Sequence, residues 1–258
     1  MSQYYTAQRV KGLYDPAQVE PFRLSRSKID LFLECPRCFY LDRRLGVGRP
    51  PGYPFSLNNA VDTLLKKEFD IHRALGTVHP LAKAYGLDLV PFAHEHMDMW
   101  RDALRRGVTY HVPETNILVT GGVDDVWMDP KTDELVIVDY KATSKDGKVN
   151  LDAAWQDGYK RQMEVYQWLF RKNNFPVSNT GYFVYCNGRT DAAAFDGKLE
   201  FDLTLLPYTG NDSWVKKAII GAQRCLRGDT IPASSQKCDY CRYVTAVSSR
   251  GTRAVSSS

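Results

Sequence analysis

The segment ELVIVDYKATS, Glu134 to Ser144, ends an apolar run on an acid and a base, Asp139 and Lys141. Residues i and i+2 of a strand share a face, so a strand here presents both groups together. Asp124, in the preceding stretch GGVDDVW, would be brought beside them by a hairpin over the turn DPKTDE. Two carboxylates can hold a hard divalent cation through oxygen. A nearby lysine can orient an attacking water and stabilise negative charge. Together they are the equipment for metal-assisted hydrolysis of a phosphodiester. Further on, Gln162 and Tyr166 fall at i and i+4 of a helical pattern and share one face. There they could grip a phosphate or a metal-bound water. An isolated Asp-x-Lys is commonly a surface ion pair, and Tyr166 alone would serve as core. The ordered series carries the argument.

A second chemistry is written in the cysteines. Cys35-Pro-Arg-Cys38 and Cys238-Asp-Tyr-Cys241 each have the two-residue gap that lets both sulfurs reach one metal. The pairs lie at opposite ends of the sequence and can share a site only if those ends meet. Zinc and an iron–sulfur cluster both accept four thiolates. Cys186 and Cys225 sit in a strand-like and a helix-like stretch and read as buried hydrophobes.

The elements that must position these groups follow from periodicity. SKIDLFLE, capped by Ser25 or Ser27, SLNNAVDTLLKKEFDIHRAL and FAHEHMDMWRDALRRG read as helices, the last closed by Gly107. NILVTGGVDDVWMD, with a Gly-Gly break, and ELVIVDYKATS read as an antiparallel hairpin. AWQDGYKRQMEVYQWLFRKN is the next helix. NTGYFVYCNG and GKLEFDLTLLP are further strands, and DSWVKKAIIGAQRCLRG is a last helix. Residues 1–20 are expected to be disordered or extended, 21–243 to form a single domain, and 244–258 to be a disordered Ser-rich tail.

Composition is that of an ordinary globular chain: 258 residues, 43% hydrophobic, 25% charged, net charge +4. No apolar run is long enough for a membrane span, and the N-terminus lacks the apolar centre of a signal peptide. Six cysteines are too few for a secreted disulfide framework, so a reducing, cytoplasmic location is expected. Arg37, Arg43, Arg44 and Arg49, with Lys66, Lys67, Arg101, Arg105 and Arg106, interleave with Tyr40 and Tyr53. That mixture suits phosphate contact and base stacking along a DNA path.

At GGVDDVW, VDYKATS and YKRQMEVYQW the chain resembles the PD-(D/E)xK nuclease superfamily, in its RecB and Cas4-like branch, over about residues 24–243. The resemblance implies an α/β restriction-endonuclease-like core, a central mixed sheet flanked by helices. It implies Asp124 and Asp139 as metal ligands and Lys141 as the catalytic lysine, and puts the family's helix motif on Gln162 and Tyr166. Asp125 is the poorer candidate because it faces the other side of its strand. In one place the chain departs from the branch, where a stretch like "NAVH" supplies a metal-binding histidine. Here it is Asn59-Ala60-Val61-Asp62. Asp62 replaces the histidine with an oxygen ligand suited to Mg2+ or Mn2+, or Glu68 contributes, or Asp62 is merely solvated. The branch also commonly carries a [4Fe-4S] cluster on one early and three late cysteines. This chain has two and two, so the resemblance favours the cluster and the spacing keeps zinc open. The expected activity is a Mg2+- or Mn2+-dependent DNA nuclease, exo or endo, acting on DNA that is single-stranded or has free ends, with no membrane partner. The alternative is a catalytically inactive nucleic-acid-binding protein on the same fold.

Overall fold

The computed structural model describes residues 8–52 and 56–251. In chain order the elements are β1 (Phe22–Ser25), α1 (Arg26–Glu34), α2 (Pro36–Arg44), α3 (Ser56–Leu75), α4 (Pro80–Ala84), β2 (Val90–Pro91), α5 (Met97–Arg101), β3 (Val108–Val112), β4 (Ile117–Gly121), β5 (Asp125–Met128), β6 (Leu135–Thr143), α6 (Asp157–Lys172), β7 (Thr180–Gly188), β8 (Phe201–Thr209), α7 (Val215–Arg227) and α8 (Asp239–Gly251). The chain divides into two compact units. One takes Met1–Tyr53, His111–Val119 and Lys216–Ser258, the other Pro54–Tyr110 and Thr120–Val215. β1, β4 and β3 form a three-stranded sheet in the order β1-β4-β3.

The second unit holds a five-stranded mixed sheet in the order β2-β5-β6-β7-β8. The hairpin expected over DPKTDE is present. β5 and β6 pair antiparallel with Asp125 opposite Val138, and the turn closes with Asp133 in the left-handed region and its N–H on Asp129 O at 2.8 Å. β6 and β7 are parallel, joined through α6, as a parallel pair requires a crossover. β7 returns antiparallel into β8. β6 is covered on both faces, which is why its first six residues are all buried. Val136, Val138 and Tyr140 pack into a core with Leu65 and Phe69 of α3, Trp127 and Leu205. The alternate residues face α6, where Gly181 of β7 leaves room for the Met163 thioether.

In the first unit, α1 buries Ile29 and Leu31, and α7 buries Ile219, Ala222 and Leu226. A Cβ at Gly221 would come within 3.2 Å of the Phe32 ring, so the glycine sets how closely that side chain approaches α7. Residues 8–20 are largely without helix or strand but pinned: Arg9 N–H donates to Gly46 O and Tyr14 N–H to Arg43 O, each at 2.8 Å. Residues 1–7 and 252–258 lie outside the described residues.

Three expectations are corrected. The helix read over FAHEHMDMWRDALRRG is the single short helix α5, followed by turns. Its last carbonyls are taken by the neighbouring chain: Val123 N–H donates to Trp100 O at 3.1 Å and Gly107 N–H to Met99 O at 3.0 Å. Those bonds compete with helix continuation. NILVTGGVDDVWMD, read as one side of a hairpin with a Gly-Gly break, places its two strands in two different sheets, parted at Gly122, where an added Cβ would collide with Ala103. The expected tail from 244 is helical as far as Gly251, because the helix that starts at Asp239 meets no glycine or proline before that point.

Candidate active site and four-cysteine centre

Asp139 and Lys141 project from one face of β6 toward α6. Asp139 is fully buried. Its Oδ1 accepts from Gln162 Nε2 at 2.8 Å, and its Oδ2 pairs with the Lys141 ammonium. Lys141 Nζ also reaches Gln162 Oε1 at 3.5 Å and stands 4.5 Å from the centre of the Tyr159 ring, a cation–π contact. Burial alone would lower the Lys141 pKa, but the charges of Asp139 and Asp124 outweigh it and hold the ammonium above its ordinary value. Gln162 Nε2 lies 3.2 Å from the Tyr166 hydroxyl, one helical turn on. Tyr166 is buried, and its ring lies where a Cβ on Gly121 would come within 2.7 Å, so it serves the core as well as the site.

Asp124 stands just before β5. The hairpin register carries it toward Asp139, and its Oδ2 accepts from the Tyr140 N–H at 2.9 Å. Its backbone carbonyl is held by Arg101 Nε at 3.0 Å. Lys66 Nζ lies 2.8 Å from Asp62 Oδ2 and 3.6 Å from Asp124 Oδ1, so one ammonium links the two carboxylates. Asp62 and Lys66 are one turn apart on α3, which Asn58 ties to β6 through Ala142 O at 3.1 Å. Glu68 points elsewhere and accepts or shares a proton with His79 Nε2 at 2.9 Å.

Asp125 has a different office from its neighbour. It is fully buried and accepts from Arg101 Nη2 at 3.1 Å, Tyr140 OH at 2.7 Å, Val126 N at 2.8 Å and Trp127 Nε1 at 3.3 Å, besides its pair with Arg73. Burial, and then the Asp125 charge, push the Tyr140 phenol well above its ordinary pKa, so it stays a donor.

The carboxylates do not close into a three-donor metal cluster. Among the described residues, the group whose ligand atoms all lie within 4.8 Å of one another is Cys35, Cys38, Cys238 and Cys241. Between the acids stand the ammoniums of Lys66 and Lys141, which supply the positive charge that buried or clustered carboxylates require. The donor set itself, oxygen only, fits a hard divalent ion.

The cysteine centre lies wholly in the first unit. Cys35 precedes α2 and Cys38 is in its first turn; Cys238 precedes α8 and Cys241 is in its first turn. Each pair thus takes the N-cap and N3 positions of a helix, the spacing at which side chains meet over a helix N-terminus. The first turn is the same in both: Phe39 N–H donates to Cys35 O, and Arg242 N–H to Cys238 O, each at 3.0 Å. The sulfurs lie 3.5 Å apart for Cys38–Cys238, 3.5 Å for Cys38–Cys241 and 3.8 Å for Cys35–Cys241. Burial pushes the Cys35 thiol up, but hydrogen bonds from the Cys38 and Ser235 backbones and from Cys238 bring it down to about 7. Cys186 and Cys225 stay apart from this centre, and burial raises each to about 11.

A model of the PD-(D/E)XK nuclease superfamily matches residues 23–246. The chain belongs to that superfamily. The match spans the mixed sheet with its helices and both cysteine pairs, and the superfamily is generally one of nucleases, which implies a nucleic-acid substrate. A search of curated proteins finds no match to the chain. No helix among the described residues is long and apolar enough to cross a membrane.

Much of the expected DNA path is corrected in this PD-(D/E)XK fold. Arg43 stacks on Phe22 at 5.1 Å, Arg44 donates to Tyr14 O at 2.8 Å, and the Tyr40 hydroxyl donates to Gly228 O at 3.0 Å from a buried ring. Arg101 is held by Asp70 and Asp125, Arg106 by Asp102 at 2.9 Å. All but Arg106, whose pair with Asp102 is exposed, are occupied in holding the fold. Tyr53 lies outside the described residues. Arg37 and Lys67 stay on the surface. Sequence reasoning missed the positioning roles of Lys66, Arg101 and Arg49. For Lys66 a signal existed, its place four residues after Asp62 on a helix. For Arg101 and Arg49 none did, because their partners are distant in sequence.

Proposed function

We propose that the protein is a Mg2+- or Mn2+-dependent nuclease that hydrolyses phosphodiester bonds of DNA, single-stranded or with free ends, within a nuclease-like domain over residues 21–243 and in the manner of the RecB and Cas4-like branch. The observation that carries this reading is the contact of Asp139, Lys141 and Gln162 at the end of β6, with Asp124 fixed beside them by the Tyr140 N–H. In this reading Asp124 and Asp139 hold the divalent ion and Asp62 adds a third carboxylate. The ion, when bound, supplies Lewis acidity toward the scissile phosphate and lowers the pKa of a coordinated water. Lys141 sets its ammonium against charge that develops on the phosphate, and Gln162 holds Asp139 and Lys141 in register. Tyr166 orients Gln162. The four cysteines form a structural metal centre. Free thiols at that centre fit a reducing compartment, and we take the cytoplasm as the location.

The link between Lys66 and the pair Asp62 and Asp124 favours one rival, a nucleic-acid-binding protein whose divalent site is weak. Labelled single- and double-stranded DNA, with free or blocked ends, incubated with and without Mn2+, separates the two. Cleavage that needs Mn2+ and is lost in Lys141→Ala supports the nuclease. Binding without cleavage at any Mn2+ concentration selects the rival.

A further inference from the structure

The branch that the sequence resembles commonly carries a [4Fe-4S] cluster, and the four-thiolate geometry of this chain does not fit one. We infer that Cys35, Cys38, Cys238 and Cys241 hold a single tetrahedral zinc ion. The inference rests on the reading of the four cysteines as a metal centre.

The sulfur spacing decides between the candidates. A tetrahedral ion with metal–sulfur bonds of ~2.3 Å requires sulfur–sulfur edges of about 3.8 Å. Three of the six pairs, at 3.5, 3.5 and 3.8 Å, lie at or a little inside that edge, and all four sulfurs lie within 4.8 Å of one another. In a cubane each cysteine binds a different iron on the outside of a body of four irons and four sulfides. Thiolates on its corners are held apart by that body and cannot touch. Here three of the six pairs are in contact, and the four sulfurs together can hold a metal ion.

The surroundings agree. Two helix N-termini, of α2 and α8, direct their positive ends at the thiolates, and both helices are long enough to carry a dipole. The Arg49 guanidinium donates to Cys238 Sγ at 3.5 Å. It is itself fixed by Glu34 at 2.7 Å and by the Tyr240 ring at 4.7 Å. The Ser235 N–H donates to Cys35 Sγ at 3.5 Å. Four thiolates on a divalent ion leave two negative charges, and these donors offset them while fixing the sulfur positions. Among divalent ions that thiolates accept, zinc binds more tightly than ferrous iron.

The test is to purify the full chain anaerobically from iron-replete cells and to measure zinc, iron and acid-labile sulfide. The metal-free chain is then rebuilt with Co2+, and separately with ferrous iron and sulfide. We expect a colourless protein with one zinc per chain and no sulfide. The cobalt form should show the visible bands of a tetrahedral tetrathiolate site, absent in Cys238→Ser. A brown protein with iron and sulfide in equal amounts overturns the inference, whether purified so or rebuilt so. One iron without sulfide overturns the choice of ion. Neither metal, with no cobalt bands, overturns the zinc and the structural metal centre together, and the DNA assay then reports on the nuclease separately.

Discussion

Adjacent residues Asp124 and Asp125 do different work because a strand turns them to opposite faces. Asp125 closes a buried network with two arginines, a tyrosine and a tryptophan. Asp125→Ala takes from Arg73 and Arg101 the buried one of the two carboxylates they share, Asp70 being the other, and should destabilise the fold by about 3–5 kcal/mol. Asp124→Ala removes the acceptor of the Tyr140 N–H and should cost less, about 1–3 kcal/mol, while abolishing Mn2+-dependent cleavage. Equal stability losses in the two variants would contradict this division. In the proposed reading Lys141 has both roles. Its removal takes a transition-state interaction away, for which a loss of about 10²–10³-fold in turnover is typical. It also takes the paired ammonium from the buried Asp139, so Lys141→Ala should melt lower without metal and regain stability on adding Mn2+, which calorimetry reads directly. A variant that melts lower yet cleaves at the wild-type rate would remove Lys141 from the chemistry. At the second centre, Arg49→Ala should weaken metal retention by about 10–100-fold in chelator competition, the usual cost of losing a partner of a metal ligand.

At the scale of elements, β6 is the carrier of the candidate site and α6 the element that completes it. The approach of α6 to the end of β4 is set partly by Gly121, whose missing Cβ leaves room for the Tyr166 ring. Gly121→Ala should force that ring aside and cost about 1–3 kcal/mol as overpacking. Because Tyr166 and Gln162 are one turn apart and hydrogen bonded, the same change should lower cleavage more than it alters DNA binding. Comparing single-turnover rate with affinity measures the split, and an unchanged rate would make Tyr166 a core residue only. α3 contributes in the same way. It bears Asp62 and Lys66 on the turn that follows Asn58, and Asn58 fastens it to β6. Strand and helix together therefore determine where three separate stretches of sequence present their carboxylates.

At the scale of the molecule, the cysteine centre closes a loop of nearly the whole sequence, from Cys35 to Cys241, within one unit, while the candidate active-site residues belong to the other. Thiolate ligation exists in the folded chain and not in the unfolded one, so its binding energy becomes folding energy. Removal of the metal by a strong thiol-competing chelator should lower the melting temperature. By hydrogen exchange, amides of α1, α2 and α8 should lose protection first and those of β6 and β7 least. Uniform loss across the chain would show that the two units unfold as one.

The sequence by itself determined the elements whose signals are local. The hairpin over DPKTDE, the helix Ser56–Leu75, the apolar run of β6 and the two Cys-x-x-Cys pairs could all be read from period and spacing. So could the shared face of Asp139 and Lys141, since the alternation of a strand is fixed by backbone geometry. What only the tertiary structure decided depends on partners far apart in the chain. It ended α5 early, because Val123 and Gly107 take its carbonyls. It drew Arg43, Arg44, Tyr40 and Arg101 into the fold, although their composition suited DNA equally well. It set the sulfur distances of the four-cysteine centre, since a two-residue gap fixes how each pair meets a metal and leaves the approach of one pair to the other open. Long-range contacts place charges and sulfurs to within the few tenths of an ångström on which coordination depends, and no local pattern carries that information.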